Sequence, residues 1–222
     1  HERYDYLIIQ LVILIIVGTY YVRRQLGQES PLLPLDLLKI PIFRLSILTS
    51  ICSFTAQMLA MISLPFFLQN TLGHSEVMTG LLLTPWPLAT LFAAPAAGYL
   101  VERIHPGILG SIGMGIFCIG LYSLSTLDAE SSILSICLRL AVCGIGFGLF
   151  QTPNNSTIIA SAPTKRSGGA SGMLGMARLM GQTLGTTLVA LLFSWVVGSE
   201  STEVCLITGS VFALIAAIVS SL

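Results

Sequence analysis

An all-α protein that crosses a lipid bilayer several times is what the sequence predicts, on three observations. Of 222 residues, 54% are hydrophobic and 9% are charged, against about 25% charged in an ordinary soluble domain. Mean hydropathy is +0.89. The apolar residues also gather into seven runs, each near the roughly 20 residues that a spanning helix needs. Such runs must be helical, because a segment inside lipid has to satisfy its own backbone N–H and C=O groups. The low charge excludes a soluble globule, a coiled coil, a disordered linker and a nucleic-acid binder.

The first run, Tyr6 to Val22, follows HERYD, which lacks a starting Met and a basic leader. It is therefore not a signal peptide, and the chain reads as a piece of a longer protein. A long connection follows, whose PLLPLDLLKIPIF section suits a short helix lying on the membrane surface. The other runs are Leu45 to Leu68, Met78 to Leu100, Ile108 to Leu127, Ile133 to Ala160, Ala170 to Val197 and Val204 to Leu222. Basic residues mark cytoplasmic loops, and alternate joints hold them: Arg23, Arg24, Lys39 and Arg44, then Arg103, then Lys165 and Arg166. The remaining joints carry Glu76, then Asp128 and Glu130, then Glu200 and Glu203, with only the terminal Arg3 on that side. The chain is expected to start outside and finish in the cytoplasm.

Membrane enzymes need residues that this chain does not bring together. Gly169-Ala170-Ser171-Gly172 fits a GxSG pattern, but a serine nucleophile needs a histidine base within the bundle, and His1, His74 and His105 all sit in joints. The sequence has no HExxH, and no pair of carboxylates lies within a run. Cys52, Cys118, Cys137, Cys143 and Cys205 lie in apolar runs without metal-ligand spacing and read as packing residues. Gly144-Ile145-Gly146-Phe147-Gly148 resembles a nucleotide loop only superficially, since no strand precedes it and no phosphate-binding Lys follows. Gly144 with Gly148, Gly168 with Gly172 and Gly181 with Gly185 are instead spaced by four, which lets helices approach closely in lipid.

Polar groups at membrane depth are costly and are functional candidates by default. Phe147, Gln151, Asn154 and Asn155 share a face of the fifth run, with Pro153 opening its hydrogen-bond ladder. Phe54, Gln57, Met58 and Met61 form a similar stripe on the second, and Thr84-Pro85-Trp86-Pro87 places an indole beside a kink on the third. A cavity of aromatics, Met and neutral amides suits bulky lipophilic ligands, cations included. The alternative is that these amides bond neighbouring helices. The Asn-x-Ser/Thr patterns at Asn154 and Asn155 are discounted as glycosylation sites because their segment is apolar and exits on the cytoplasmic side. Arg139 is expected to snorkel at the outer end of the fifth run. Arg178 lies eight residues beyond Ala170, roughly 12 Å deep. That depth calls for an ion pair, yet no run contains an acid, and the nearest is Glu102.

At this point the motifs match a family. GYLVERIHPG is similar to the loop signature G-x-L-A-D-R-x-G of the major facilitator superfamily, with Gly98, Leu100 and Arg103 in place, Glu102 for Asp and His105 for Gly. LRLAVCGIGFGLFQTPNN, ASGMLGMARLMGQTLG and RRQLGQESPLLPLDLLKIPIFR resemble the fourteen-helix drug:proton antiporter branch, and most closely its methyl viologen and quaternary ammonium efflux members. The resemblance implies a linker transmembrane helix over 1–24, a cytoplasmic connection over 25–44 and a C-terminal six-helix transporter half over 45–222, with the N-terminal half absent. It also implies a multi-pass protein of the bacterial inner membrane, driven by the proton gradient without a cofactor, whose partners are small lipophilic or cationic drugs, the lipid bilayer and the missing half. Gly98, Glu102 and Arg103 would form a conformational-latch loop, and Arg139 and Arg178 an intramembrane charge network. The cavity candidates are Phe54, Gln57, Met61, Trp86, Phe147, Gln151 and Asn154.

Overall fold

The computed structural model describes residues 34–222 apart from 129, 197 and 199, together with 12, 13, 16–20 and 23. Those few earlier residues are helical and exposed. The remainder of the expected linker helix over 1–24, and positions 25–33 of the connection, lie outside the described residues.

In the segment expected to form a short helix, Leu35–Lys39 is a 3-10 turn and not an α-helix. Pro34 and Pro41 bracket it, and five residues are too few to propagate an α-helix. Ile40 is extended, φ −77° and ψ 115°, as the residue before a proline prefers to be. Leu37 points inward and is 2% exposed. Seven α-helices follow: α1 (Pro41–Asn70), α2 (Glu76–Leu83), α3 (Pro85–Leu100), α4 (Pro106–Ser125), α5 (Ile133–Ser161), α6 (Ser167–Trp195) and α7 (Glu200–Ser220). A second 3-10 turn, Thr164–Arg166, joins α5 to α6. Counting α2 and α3 as one span, six helical segments are long and apolar enough to cross a membrane.

The break between α2 and α3 follows from their sequence. Pro85 and Pro87 have no N–H to give, so Thr84 closes the turn with its N–H on Leu81 O at 3.2 Å and its hydroxyl donating to Gly80 O at 3.0 Å. Pro153 lies inside α5 without ending it. Gly73, with φ 68°, turns the chain out of α1 in a conformation that glycine adopts readily. Side chains cap several helix starts: Ser75 Oγ accepts from Met78 N–H, Ser132 Oγ from Ser135 N–H, and His105 Nδ1 from Gly107 N–H.

α1 is the central helix, with 61% of its most apolar stretch buried, against 22% for the α2–α3 span and 22% for α6. Leu59, Leu64, Leu68, Met114, Phe117, Leu121, Ile136 and Leu140 fill the core where α1, α4, α5 and α7 meet. Glycines let the backbones close up. A Cβ on Gly148 would stand 2.8 Å from Ala93 Cβ on α3, and one on Gly185 2.6 Å from Met58 Cβ on α1. Hydroxyls reinforce both seams, with Thr90 donating to Gly144 O at 3.0 Å and Thr55 to Gly181 O at 3.2 Å. The third glycine pair is different. Gly168 and Gly172 have nothing within 4 Å among the described residues, so they make no seam within this bundle.

The two ends of the bundle differ in charge. Asp128 and Glu203 border a cleft at one end, and Lys39, Arg44, Arg103 and Lys165 lie at the other. Arg166 meets Asp36 at the end where the chain enters α1. These are called the acidic and the basic end below.

Candidate functional site

An open cavity of about 790 Å³ lies between α1, α2, α3, α5 and α6, within the roughly 300–1,000 Å³ range of small-molecule sites. Phe54, Gln57 and Met61 reach it from α1, Trp86 from α3, Phe147 and Gln151 from α5, and Arg178 from α6. Each group follows helical spacing, so one face of each helix is spent on the site. The kink at Thr84 brings Gly80, Thr84, Pro87 and Thr90 to its rim.

The aromatic walls form one connected series. The Arg178 guanidinium carbon lies 5.4 Å from the Phe54 ring centroid. Phe54 meets Phe147 edge-on at 5.7 Å, Phe147 meets Phe117 at 5.6 Å, and Phe117 meets Trp86 at 5.4 Å. T-shaped contacts of this kind fix ring orientation, because the positive edge of one ring faces the negative face of the next. The series gives the cavity a stiff apolar wall. Trp86 is 2% exposed and its indole N–H has no partner among the described residues. Two amides and one guanidinium supply polar groups around this wall.

Asn154 lies elsewhere. It is 8% exposed, and its Nδ2 donates to Ser50 Oγ at 2.7 Å. It shares a face with Phe147, but seven residues further along α5 is about 10 Å nearer the basic end, where α1 closes on α5. Its amide ties those two helices and does not line the cavity.

The two arginines are not brought together. Arg178 is exposed on α6 and has no carboxylate partner among the described residues. Arg139 is half-buried and donates through Nη1 to Ser123 O and to Thr126 Oγ1. It thus crowns the last turn of α4, where a cation meets the negative end of the helix dipole. In the joint after α3, Glu102 is exposed and Arg103 folds back on its own helix, donating to Tyr99 OH with its guanidinium carbon 4.8 Å from that ring's centroid. Gly98 is half-buried and faces Thr152 of α5, whose hydroxyl donates to Ala94 O at 3.3 Å.

Sequence reasoning missed Thr90 and Phe117. Thr90 follows Trp86 by four residues and could have been found by helical spacing. Phe117 belongs to a helix with no polar stripe, and only packing reveals that it bridges Trp86 and Phe147. Among the described residues, no group of three or more His, Cys, Asp or Glu could hold a metal ion.

Comparison with known proteins sets this geometry in a family. The family model described as the Major Facilitator Superfamily matches residues 7–186 and 45–222. An uncharacterized transporter of Escherichia coli (strain K12), YebQ, is 58% identical over 96% of this chain and 46% of its own length. The riboflavin transporter RibZ of Clostridioides difficile (strain 630) is 28% identical over 77% of this chain and 38% of its own. The multidrug efflux pump LfrA of Mycolicibacterium smegmatis (strain ATCC 700084 / mc(2)155) is 29% identical over 81% of this chain and 36% of its own. The chain therefore spans less than half the length of these relatives. A bundle of six apolar spans around an aromatic cavity, matched along nearly its whole length by one family of membrane transporters, belongs to the Major Facilitator Superfamily.

Proposed function

We propose that this chain is the C-terminal half of a proton-coupled exporter of lipophilic, often cationic compounds, in the fourteen-helix drug:proton antiporter branch. The aromatic cavity carries the reading. Its rings, Met61 and the amides of Gln57 and Gln151 offer apolar area, adaptable shape and a few hydrogen bonds, which suits bulky ligands of varied structure better than one small polar metabolite. The similarity to a multidrug efflux pump points the same way. Quaternary ammonium compounds and methyl viologen are the proposed substrates, held in the opening that Phe54, Trp86 and Phe147 wall, where an apolar aromatic environment favours large, weakly hydrated cations. A second half is proposed to close the open cavity, with substrate held at the midplane between two rocking bodies. That half would supply the acid that titrates during coupling, and Gly98, Glu102 and Arg103 would latch the two halves at the proposed cytoplasmic side. A metabolite carrier is the second reading, favoured by the similarity to a riboflavin transporter.

Export from cells that carry the full-length protein tests the choice. Gln151→Ala should reorder the exported compounds, measured as resistance to a panel of quaternary ammonium salts and dyes, with membrane yield near normal. An unaltered panel with poor yield would mean that Gln151 serves packing, and selective uptake of one metabolite would favour the second reading.

A further inference from the structure

Three contacts converge where the connection enters the bundle. Asp36, in the 3-10 turn, pairs with Arg166, in the joint between α5 and α6. Pro34 lies against the start of α6, where a Cβ on Gly169 would stand 2.8 Å from Pro34 Cγ and 3.6 Å from Pro34 Cβ. Leu37 fills the space between, packed into a cluster with Phe43 of α1, Ile158 of α5 and Met173 of α6.

α6 has need of a fastening. Its buried residues are Ala170, Met173, Ala177, Gly181, Gly185 and Val189, a seam mostly of small residues laid along α1. Such a seam permits close approach but offers few knobs that would stop one helix from turning or sliding on the other. One hydrogen bond, from the Thr55 hydroxyl to Gly181 O, crosses it near the middle. Arg178 follows the seam residue Ala177, so a small rotation of α6 would carry its long side chain away from Phe54.

We propose that Pro34–Leu38 is a strap that positions Arg178: by binding Asp36 to Arg166, Pro34 to Gly169 and Leu37 to the inner cluster, it holds α6 at one rotation and height. Arg166 immediately precedes α6, and the twelve helical residues from Ser167 to Arg178 form a stiff arm of about 18 Å, so the contact at the basic end is felt in the cavity. Asp36 and Arg166 touch no ligand and are positioning residues. Their side chains are 45% and 30% exposed, and ion pairs that wet add little stability. Breaking the pair therefore changes geometry more than folding. The effect on transport rests on reading the cavity as the ligand site, whereas the strap itself does not.

The test uses the full-length protein, stripped of its other cysteines, in membrane vesicles. Pro34→Cys with Gly169→Cys should close a disulfide under mild oxidation, read as protection from a maleimide polymer, because 3.6 Å between Cβ atoms lies within the roughly 3.5–4.5 Å that disulfides use. Asp36→Arg should slow closure severalfold, and Asp36→Arg with Arg166→Asp should restore it. In parallel, the maleimide reactivity of Arg178→Cys should change with Asp36→Arg and return with the exchanged pair. For ethidium efflux, Asp36→Arg should raise the half-saturating concentration severalfold at nearly constant maximal rate. Asp36→Asn should do so more weakly, and the exchanged pair should recover it. Failure of the disulfide to form, or of the exchanged pair to rescue closure, would overturn the strap. Lost closure with an unmoved Arg178→Cys reactivity would overturn its positioning role. If the unsubstituted protein exports no ethidium while closure and rescue hold, the proposed function falls and the strap stands.

Discussion

Asn154 and Gln151 are amides three residues apart on one helix, and they do different work because of what stands opposite each. Gln151 borders open space, while Asn154 meets the Ser50 hydroxyl 2.7 Å away. Hydrogen bonds between spanning helices contribute about 0.6 kcal/mol on average and up to about 1.7, and a buried group left without its partner adds a penalty. Asn154→Ala should therefore lower the thermal stability of the detergent-solubilised full-length protein by about 1 kcal/mol and leave the order of exported compounds unchanged. Ser50→Ala should cost a similar amount, and the double substitution little more than either alone, because both remove the same bond. A fully additive pair of losses would show that the bond contributes nothing. Arg139 makes a similar point about charge. Its guanidinium is spent on Ser123 O and Thr126 Oγ1, so Arg139→Ala should weaken the acidic end of α4 and leave drug selectivity intact, read from the same export panel.

At the scale of the element, glycine spacing by itself does not say where helices touch. Gly144 with Gly148 and Gly181 with Gly185 face neighbours, while Gly168 and Gly172 face none among the described residues. All three pairs have the same spacing, so nothing local distinguishes them. The difference appears only when α6 is placed against α1 and α5 against α3. Gly185→Leu should abolish assembly of the bundle, since its Cβ alone would stand 2.6 Å from Met58 Cβ and 2.8 Å from Thr55 O. Gly115→Leu on α4 should be tolerated, because nothing lies within 4 Å of its added Cβ. Monodisperse elution from a size-exclusion column reads both, and equal behaviour of the two variants would contradict the seam. The Thr84 break has a local cause and was legible in advance: two prolines within three residues remove two donors wherever the helix lies.

For the whole molecule, the alternation of basic and acidic joints is the strongest information the chain carries about its place in a membrane. Cysteines introduced at Glu130 and Glu200 should react with an impermeant thiol reagent added to intact cells, and one at Lys165 should not. Labelling at Lys165 from outside would reverse the orientation. The α2–α3 span and α6 are the least buried of the six, and they flank the open cavity. Under the proposed alternating-access scheme, substrate would pass between two such bodies, of which this bundle would be one. Residues 1–222 expressed alone should accordingly give no proton-driven dye efflux, measured in inverted vesicles. Robust efflux by this segment would require coupling through residues that here only pack.

Over residues 41–222 the sequence by itself determined the six long apolar helical segments, the break at Thr84 and the faces that carry aromatics and amides. Those features arise from composition, proline chemistry and a 3.6-residue period, all of which act within one helix. It also grouped Phe54, Gln57, Met61, Trp86, Phe147 and Gln151 as cavity candidates; these residues line one opening in the bundle, together with Arg178, which the sequence had assigned to a charge network. Only the tertiary structure decided that Asn154 is a tie, that Phe117 stands behind the cavity wall, that Arg139 crowns α4 and that Leu37 packs against α1, α5 and α6. Each of these depends on which helix stands opposite and at what depth. In an apolar chain nearly every face is hydrophobic, so the pattern that would mark inside from outside in a soluble protein is missing, and shape complementarity between helices makes the choice.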